Sequence, residues 1–150
     1  MRYLLYETNH ESVALKREVD FLTDYIDLMR LRLSEKVVVS VSLPANCDSQ
    51  TVPPLLFIPF VENAFKHGVS YRESSFIHVT LECVDGDIRF RCANSRFDQP
   101  QSQQNQGGFG LDNVRKRLDL IYGMGYDLQI TSSAADFVVL LRIQLKSNKP

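Results

Sequence analysis

Four chemically different side chains crowd into little more than one helical turn near the middle of this 150-residue chain: Glu62, Asn63, Lys66 and His67, within PPLLFIPFVENAFKHG (residues 53–68). Asn and Glu offer oxygens to a hard cation such as Mg²⁺, and Lys is a compact charge suited to phosphate. Written on a helix, Pro59, Glu62, Asn63, Lys66 and His67 share one face. Phe57, Phe60, Val61 and Ala64 recur at i, i+3, i+4 and i+7 as an apolar stripe that wants a core. A solvated face is normally filled with interchangeable Lys, Glu and Gln. The plain alternative is a surface helix with one i,i+4 pair, Glu62 to Lys66.

A second feature lies further along. GGFG (residues 107–110) immediately precedes a predicted helix, a way to present backbone amides and a positive helix end to phosphates. It is not GxxxxGK[ST], and it does not follow a strand directly as GxGxxG does. Before it, RFDQPQSQQNQ (residues 96–106) is almost wholly polar and lacks a period, which reads as a surface loop or a lid. Together the two features describe an Mg–nucleotide site between two helices, over a sheet.

The elements that must position these residues follow from periodicity. Leu15, Val19, Leu22, Ile26, Met29 and Leu33 step by three and four, predicting an amphipathic helix over 15–33 with charges on its other side. Residues 36–43 alternate as a strand. Pro53 and Pro54 suit the first turn of the central helix. Pro59 lies deeper and cannot bond Leu55, predicting a local irregularity, and Gly68 ends the helix. Strands over 76–83 and 87–93 flank the turn dipeptide Asp85-Gly86. A helix runs through Leu111, Val114, Leu118 and Ile121 to Gly123, and strands over 127–131 and 137–145 finish the chain. The expected fold is α/β: a two-layer sandwich with a mixed, mostly antiparallel sheet of about five strands and three main helices on one face.

Composition agrees with one domain. The chain is 44% hydrophobic with a net charge of −1, enough for a real core and without an electrostatic footprint for nucleic acid. No apolar run approaches a membrane span, and the N-terminus has no signal-peptide pattern. Cys47, Cys83 and Cys92 lack metal-ligand spacing and read as structural thiols in a reducing cytosol.

VENAFKHG resembles the N box of the GHKL ATPases, the class that includes gyrase and the sensor histidine kinases. GGFGLDNVRKRLDLIYG resembles their second glycine box in the form of the LytS-like sensor histidine kinases, often written IPPLLLQPLVENAIKHG and GIGLxNVRxRLxLLYG. RYLLYE and VALKREVDFLTDYIDLMRLRL are similar to the segment joining the phosphoacceptor helix to the ATP-binding domain. The resemblance thus implies a linker end over 1–14 and a Bergerat-fold ATP-binding domain over 15–150.

By that resemblance Asn63 is the Mg²⁺ ligand, Lys66 and His67 approach the phosphates of ATP, and Glu62 is a base or orienting group for an imidazole nucleophile. Gly108 and Gly110 supply a lid hinge and free amides. Phe109 and Leu111 pack there, Leu111 completing the cofactor-binding set. Arg115 and Arg117 are further candidates for phosphate charge, although one helix cannot aim both inward. Where most of the superfamily has Asp-x-Gly-x-Gly, this chain reads CANSRF. Asn94 then accepts from the adenine amine with a weaker, neutral bond, and the lost glycines stiffen the hinge; the alternative is that Asn94 is an ordinary turn residue.

The phosphoacceptor motif is absent, and His10 and His78 lack its context. The implied function is the catalytic domain of a two-component sensor histidine kinase, transferring the γ-phosphoryl group to a His on an upstream helix outside this chain and not labelling itself. The implied partners are that helix in a homodimeric sensor and a response regulator, the LytTR type being one option. The implied location is the cytoplasmic side of an inner-membrane sensor. Two other readings stay open: a non-catalytic GHKL-fold signalling or dimerisation module, and a serine kinase or ATPase that keeps Glu62 as base.

Overall fold

The computed structural model describes residues 12–44, 50–70, 72–97 and 101–144, with backbone only over 101–110. His10 and Cys47 lie outside the described residues. Three helices, α1 (Leu15–Arg30), α2 (Ile58–His67) and α3 (Gln101–Tyr122), accompany strands β1 (Val13–Ala14), β2 (Val37–Ser42), β3 (Thr51–Val52), β4 (Ser75–Val84), β5 (Asp87–Ser95), β6 (Tyr126–Ser132) and β7 (Asp136–Gln144). The main sheet has the order β2-β4-β5-β7-β6. Only β2 and β4 pair in parallel; the other neighbours are antiparallel. A parallel pair needs a crossover, and α2 lies in it. The two-layer α/β architecture with a mixed, mostly antiparallel sheet is therefore as expected.

Strand alternation decides which face is covered. Ile77, Val79 and Leu81 of β4, Ile88, Phe90 and Cys92 of β5, and Val139, Leu141 and Ile143 of β7 are all buried. They meet Phe57, Phe60, Val61 and Ala64 around α2, Leu111, Val114 and Leu118 on α3, and Leu15, Val19, Leu22 and Ile26 on α1 in one core. Phe90 is central: its ring centroid lies 4.9 Å from that of Phe57 and 5.7 Å from that of Phe60. The β4–β5 turn takes positive φ at both Asp85 (53°) and Gly86 (85°), the pattern that matches the twist of a two-residue hairpin. Gly123, at φ 59°, ends α3 with its amide on the Asp119 carbonyl at 3.0 Å.

Four expectations are corrected. Pro53 and Pro54 are not in the first turn of α2; the helix starts at Ile58, so Pro59 is the first-turn proline and its missing amide has no intrahelical partner to lose. No irregularity results. Residues 101–106 are not loop: α3 begins at Gln101 and runs through the glycines. The sequence also hid the short antiparallel pair β1–β3, which joins Val13 to Val52 and is too short to show alternation. Finally, Cys83 is disulfide-bonded rather than a free structural thiol.

Cys92 does behave as a structural thiol. It is a buried free cysteine whose Sγ lies 3.7 Å from the Phe60 carbonyl, and burial pushes its ionisation up to about 12. No helix among the described residues is long and apolar enough to cross a membrane.

Phe57→Ala should cost about 3–5 kcal/mol, read as a lower urea midpoint, because the cavity opens onto Phe90. Leu120→Ala, at an 85% exposed position, should stay within about 0.5 kcal/mol. Iodoacetamide at about pH 8 should leave Cys92 unmodified in the native protein and label it after unfolding, since only the unfolded thiol ionises near its ordinary value.

Candidate functional site

Helix α2 owes its two faces to where it is anchored. Phe60, Val61, Ala64 and Phe65 are buried, whereas Glu62 and Lys66 are exposed and Asn63 and His67 half-buried. The apolar stripe is thus spent on the core, and the four polar groups share the opposite rim. Among the described residues two ion pairs form, Lys16–Asp20 and Arg142–Asp87. Neither uses Glu62 or Lys66, so the surface-pair reading of that face lacks its pair. The Glu62 carboxylate does reach the surroundings of Tyr25: burial first, then the Glu62 charge, raise the Tyr25 phenol, with Arg32 opposing. Tyr25 also sits edge-on to Phe65, with ring centroids 6.1 Å apart, which ties α1 to α2.

The C-terminal end of α2 meets the end of β5. Asn94 is buried, 2% exposed, inside β5 with Ile77 and Phe137 as its register partners. It is not a turn residue. Its Nδ2 donates to the Ser95 carbonyl at 2.7 Å. Gly68 packs directly on it: a Cβ at position 68 would fall 2.6 Å from Asn94 Cβ, 2.9 Å from its Nδ2 and 2.7 Å from the Ala64 carbonyl oxygen. Gly68 does end α2, but at φ −99° it is needed for close approach rather than for a left-handed backbone. Ser95 closes the corner, its hydroxyl donating to the Gly68 carbonyl at 2.8 Å and accepting the Phe76 amide at 3.1 Å. Asn63 and Lys66 therefore sit on the helix whose end abuts Asn94.

The glycine segment is placed differently from expectation. Gly108 and Gly110 lie inside α3, beyond its first four residues, where a helix's own carbonyls take its amides. In this conformation they offer no free amides. Leu111 is buried in the core, as a packing residue should be. Arg115 is exposed. Arg117 points elsewhere: its guanidinium donates to the Pro54 carbonyl at 2.7 Å and the Leu55 carbonyl at 3.4 Å. His78 lies on a strand beside Phe76, ring centroids 4.7 Å apart, on the strand face opposite to that of the buried Ile77 and Val79.

Three residues of the site region went unread in the sequence. Ser95 was hidden beside Asn94. Arg117 was weighed only as a phosphate ligand. Glu18 was grouped with the solvated charges of the first helix, yet it is 5% exposed and accepts the Leu55 and Leu56 amides at 3.0 and 3.2 Å. The signal was its spacing: Glu18 falls three residues after Leu15 and four before Leu22, on the inward stripe.

Among the described residues no three His, Cys, Asp or Glu side chains gather as a metal cage. Asn63 with an exposed carboxylate and ammonium nearby fits a different situation, a Mg²⁺ that brings most of its ligands as phosphate oxygens and water.

No family model matches the chain. The sensor histidine kinase BtsS of Escherichia coli K12 is 28% identical over 132 residues, covering 80% of this chain and 21% of BtsS. The chain thus spans about a fifth of the length of such curated relatives. The solved catalytic domain of histidine kinase ThkA aligns over 90% of this chain and 95% of its own, with a TM-score of 0.56 at 19% identity. Full-length ShkA, solved in complex with AMPPNP, aligns over 90% of this chain and 31% of its own, with a TM-score of 0.62 at 16% identity. The chain is thus similar in sequence to sensor histidine kinases and has the fold of histidine kinase catalytic domains.

Proposed function

We propose that residues 15–150 are the ATP-binding catalytic domain of a LytS-like sensor histidine kinase, with residues 1–14 the end of the linker from its phosphoacceptor helix. The observation that carries this reading is the corner where buried Asn94 packs on Gly68. It brings a fixed amide to the end of the helix that bears Glu62, Asn63 and Lys66, although the two segments are far apart in sequence. The AMPPNP in the ShkA structure is consistent with that fold holding an adenine nucleotide.

In this reading Asn94 offers its amide oxygen to the base while Ser95 holds the other end of the amide, so the acceptor is presented without rearrangement. Asn63 supplies one oxygen toward Mg²⁺, and the exposed Lys66 ammonium and half-buried His67 face the phosphates. When bound, Mg²⁺ neutralises charge on the phosphate oxygens during in-line transfer. Glu62, exposed beside Asn63, orients or deprotonates the acceptor imidazole brought by another part of the sensor. Leu111 packs against the core near the middle of α3. For Gly108 and Gly110 to give amides to phosphate, the first turns of α3 must unwind. Glycine costs about 1 kcal/mol more than alanine in a helix interior, and three lie within residues 107–110, so the sequence makes that opening cheap.

The acceptor helix, a homodimeric sensor, a response regulator (the LytTR type among them) and a cytoplasmic position under an inner membrane complete the proposal. The second reading, a signalling module that does not bind nucleotide, draws on one observation: the helical setting of the glycines.

Calorimetric titration with an ATP analogue tests the reading. Binding should strengthen with Mg²⁺. Asn63→Ala should abolish the Mg²⁺ dependence, and Lys66→Ala should weaken affinity about tenfold or more, a charge-assisted contact being worth about 1.5–3 kcal/mol, with circular dichroism unchanged for both. A folded chain that ignores millimolar nucleotide would instead favour the non-binding module. Gly68→Ala should displace Asn94 and lower affinity at least about tenfold, a misplacement effect; retained affinity would detach Asn94 from the site.

A further inference from the structure

Between β3 and α2 the chain makes a turn that its two prolines, Pro53 and Pro54, do not by themselves account for. Leu55 sits at φ 58°, in the left-handed region that a branched side chain enters only when its surroundings over-determine it. Packing does not hold it there, since Leu55 is 51% exposed. Polar groups from two other helices do. From α1, the buried Glu18 carboxylate takes the Leu55 amide on one oxygen (3.0 Å) and the Leu56 amide on the other (3.2 Å). From α3, Arg117 donates to the carbonyls of Pro54 (2.7 Å) and Leu55 (3.4 Å). Leu55 is thus gripped at its amide by an acid and at its carbonyl by a base, on elements remote in sequence.

We propose that Arg117 and Glu18 are positioning residues for the proposed nucleotide site, clamping the 54–56 turn so that the polar face of α2 is held in register with α3. The inference rests on the nucleotide-binding reading above. Its geometry is direct. Phe57 follows the turn, is fully buried, and accepts the first amides of α2, those of Phe60 at 3.2 Å and Val61 at 3.4 Å. A helix of ten residues has under three turns in which to absorb an error, so a shift at residues 54–56 reaches Asn63 and Lys66. Arg117, for its part, stands about two helical turns beyond Gly110 on α3. One guanidinium therefore links the helix carrying the glycine segment to the turn that launches the acid–amide–ammonium face. A fork spanning two successive carbonyls suits the rigid planar guanidinium; a lysine ammonium on its flexible stem does not reproduce that fixed geometry. Conserving charge at position 117 is therefore not enough.

The test uses the intact 150-residue chain and two readouts. Arg117→Lys should weaken binding of Mg–AMPPNP about tenfold, the scale on which small misplacements act, and should speed hydrogen exchange at the Leu55 and Leu56 amides about tenfold without nucleotide, as a local opening. Those amides bond Glu18, not Arg117, so faster exchange reports the clamp acting as a unit. Adding Leu55→Gly, which removes the cost of the left-handed turn, should restore both readouts to within about threefold of wild type; generic loss of stability would not be rescued at this position. Glu18→Gln should shift the same amides in the same direction. Wild-type affinity in Arg117→Lys, or a Leu55→Gly background that restores nothing, would overturn the proposal. Should the wild-type chain bind no nucleotide, the functional reading fails on its own, and unchanged exchange in Arg117→Lys would overturn the clamp separately.

Discussion

Helix α2 presents a polar face because its other face is wedged against β5 at both ends. At its start Phe57 and Phe60 flank Phe90, and at its close Gly68 rests on Asn94. Two large rings fix the depth of the helix over the sheet, and the absence of a side chain at position 68 fixes how near its end can come. With depth and end set, rotation is set too, and Glu62 and Lys66 have only the solvent side left to occupy. The rest of the candidate site depends on this wedge. Crowded polar chemistry on one turn of a helix would otherwise be free to roll.

The polar contacts around that wedge belong to one economy of desolvation. Asn94, Ser95 and Glu18 are buried polar groups, and each is used: Asn94 on the Ser95 carbonyl, Ser95 between the Gly68 carbonyl and the Phe76 amide, Glu18 on two amides of a strained turn. Burying such groups without partners costs about 1–3 kcal/mol each, so their pairing is what permits them under α2 at all. None of the three acts by long-range charge. They hold backbone, and the backbone holds the exposed groups.

Helix α3 is built from two unlike halves of sequence. Its second half is anchored by Leu111, Val114 and Leu118 in the core and by Arg117 on the 54–56 turn. Its first half carries Gln-rich sequence and three glycines in helical conformation. Local propensity and observed structure disagree there, and such disagreements concentrate where a protein changes shape or binds. The proposed phosphate contacts of Gly108 and Gly110 draw on that conflict.

Much of the fold was legible because it is periodic. The alternation of β4, β5 and β7, the stripe of α1, the Asp85-Gly86 turn and the stop at Gly123 each follow from residues close in sequence. The polar face of α2 was legible for the same reason. Pro59 misled because proline restricts a helix only relative to where the helix begins, and that start is set by the buried Leu56 and Phe57. The glycine segment misled because glycine permits a break without requiring one. By itself the sequence determined which faces are apolar, where the hairpin turns and which polar types share a helix turn. Only the tertiary structure decided that Asn94 lies against Gly68, that Glu18 takes the Leu55 and Leu56 amides, and that Arg117 grips a left-handed Leu55. Those are contacts between distant segments, created when burial forces polar groups to find partners, and no local period encodes them.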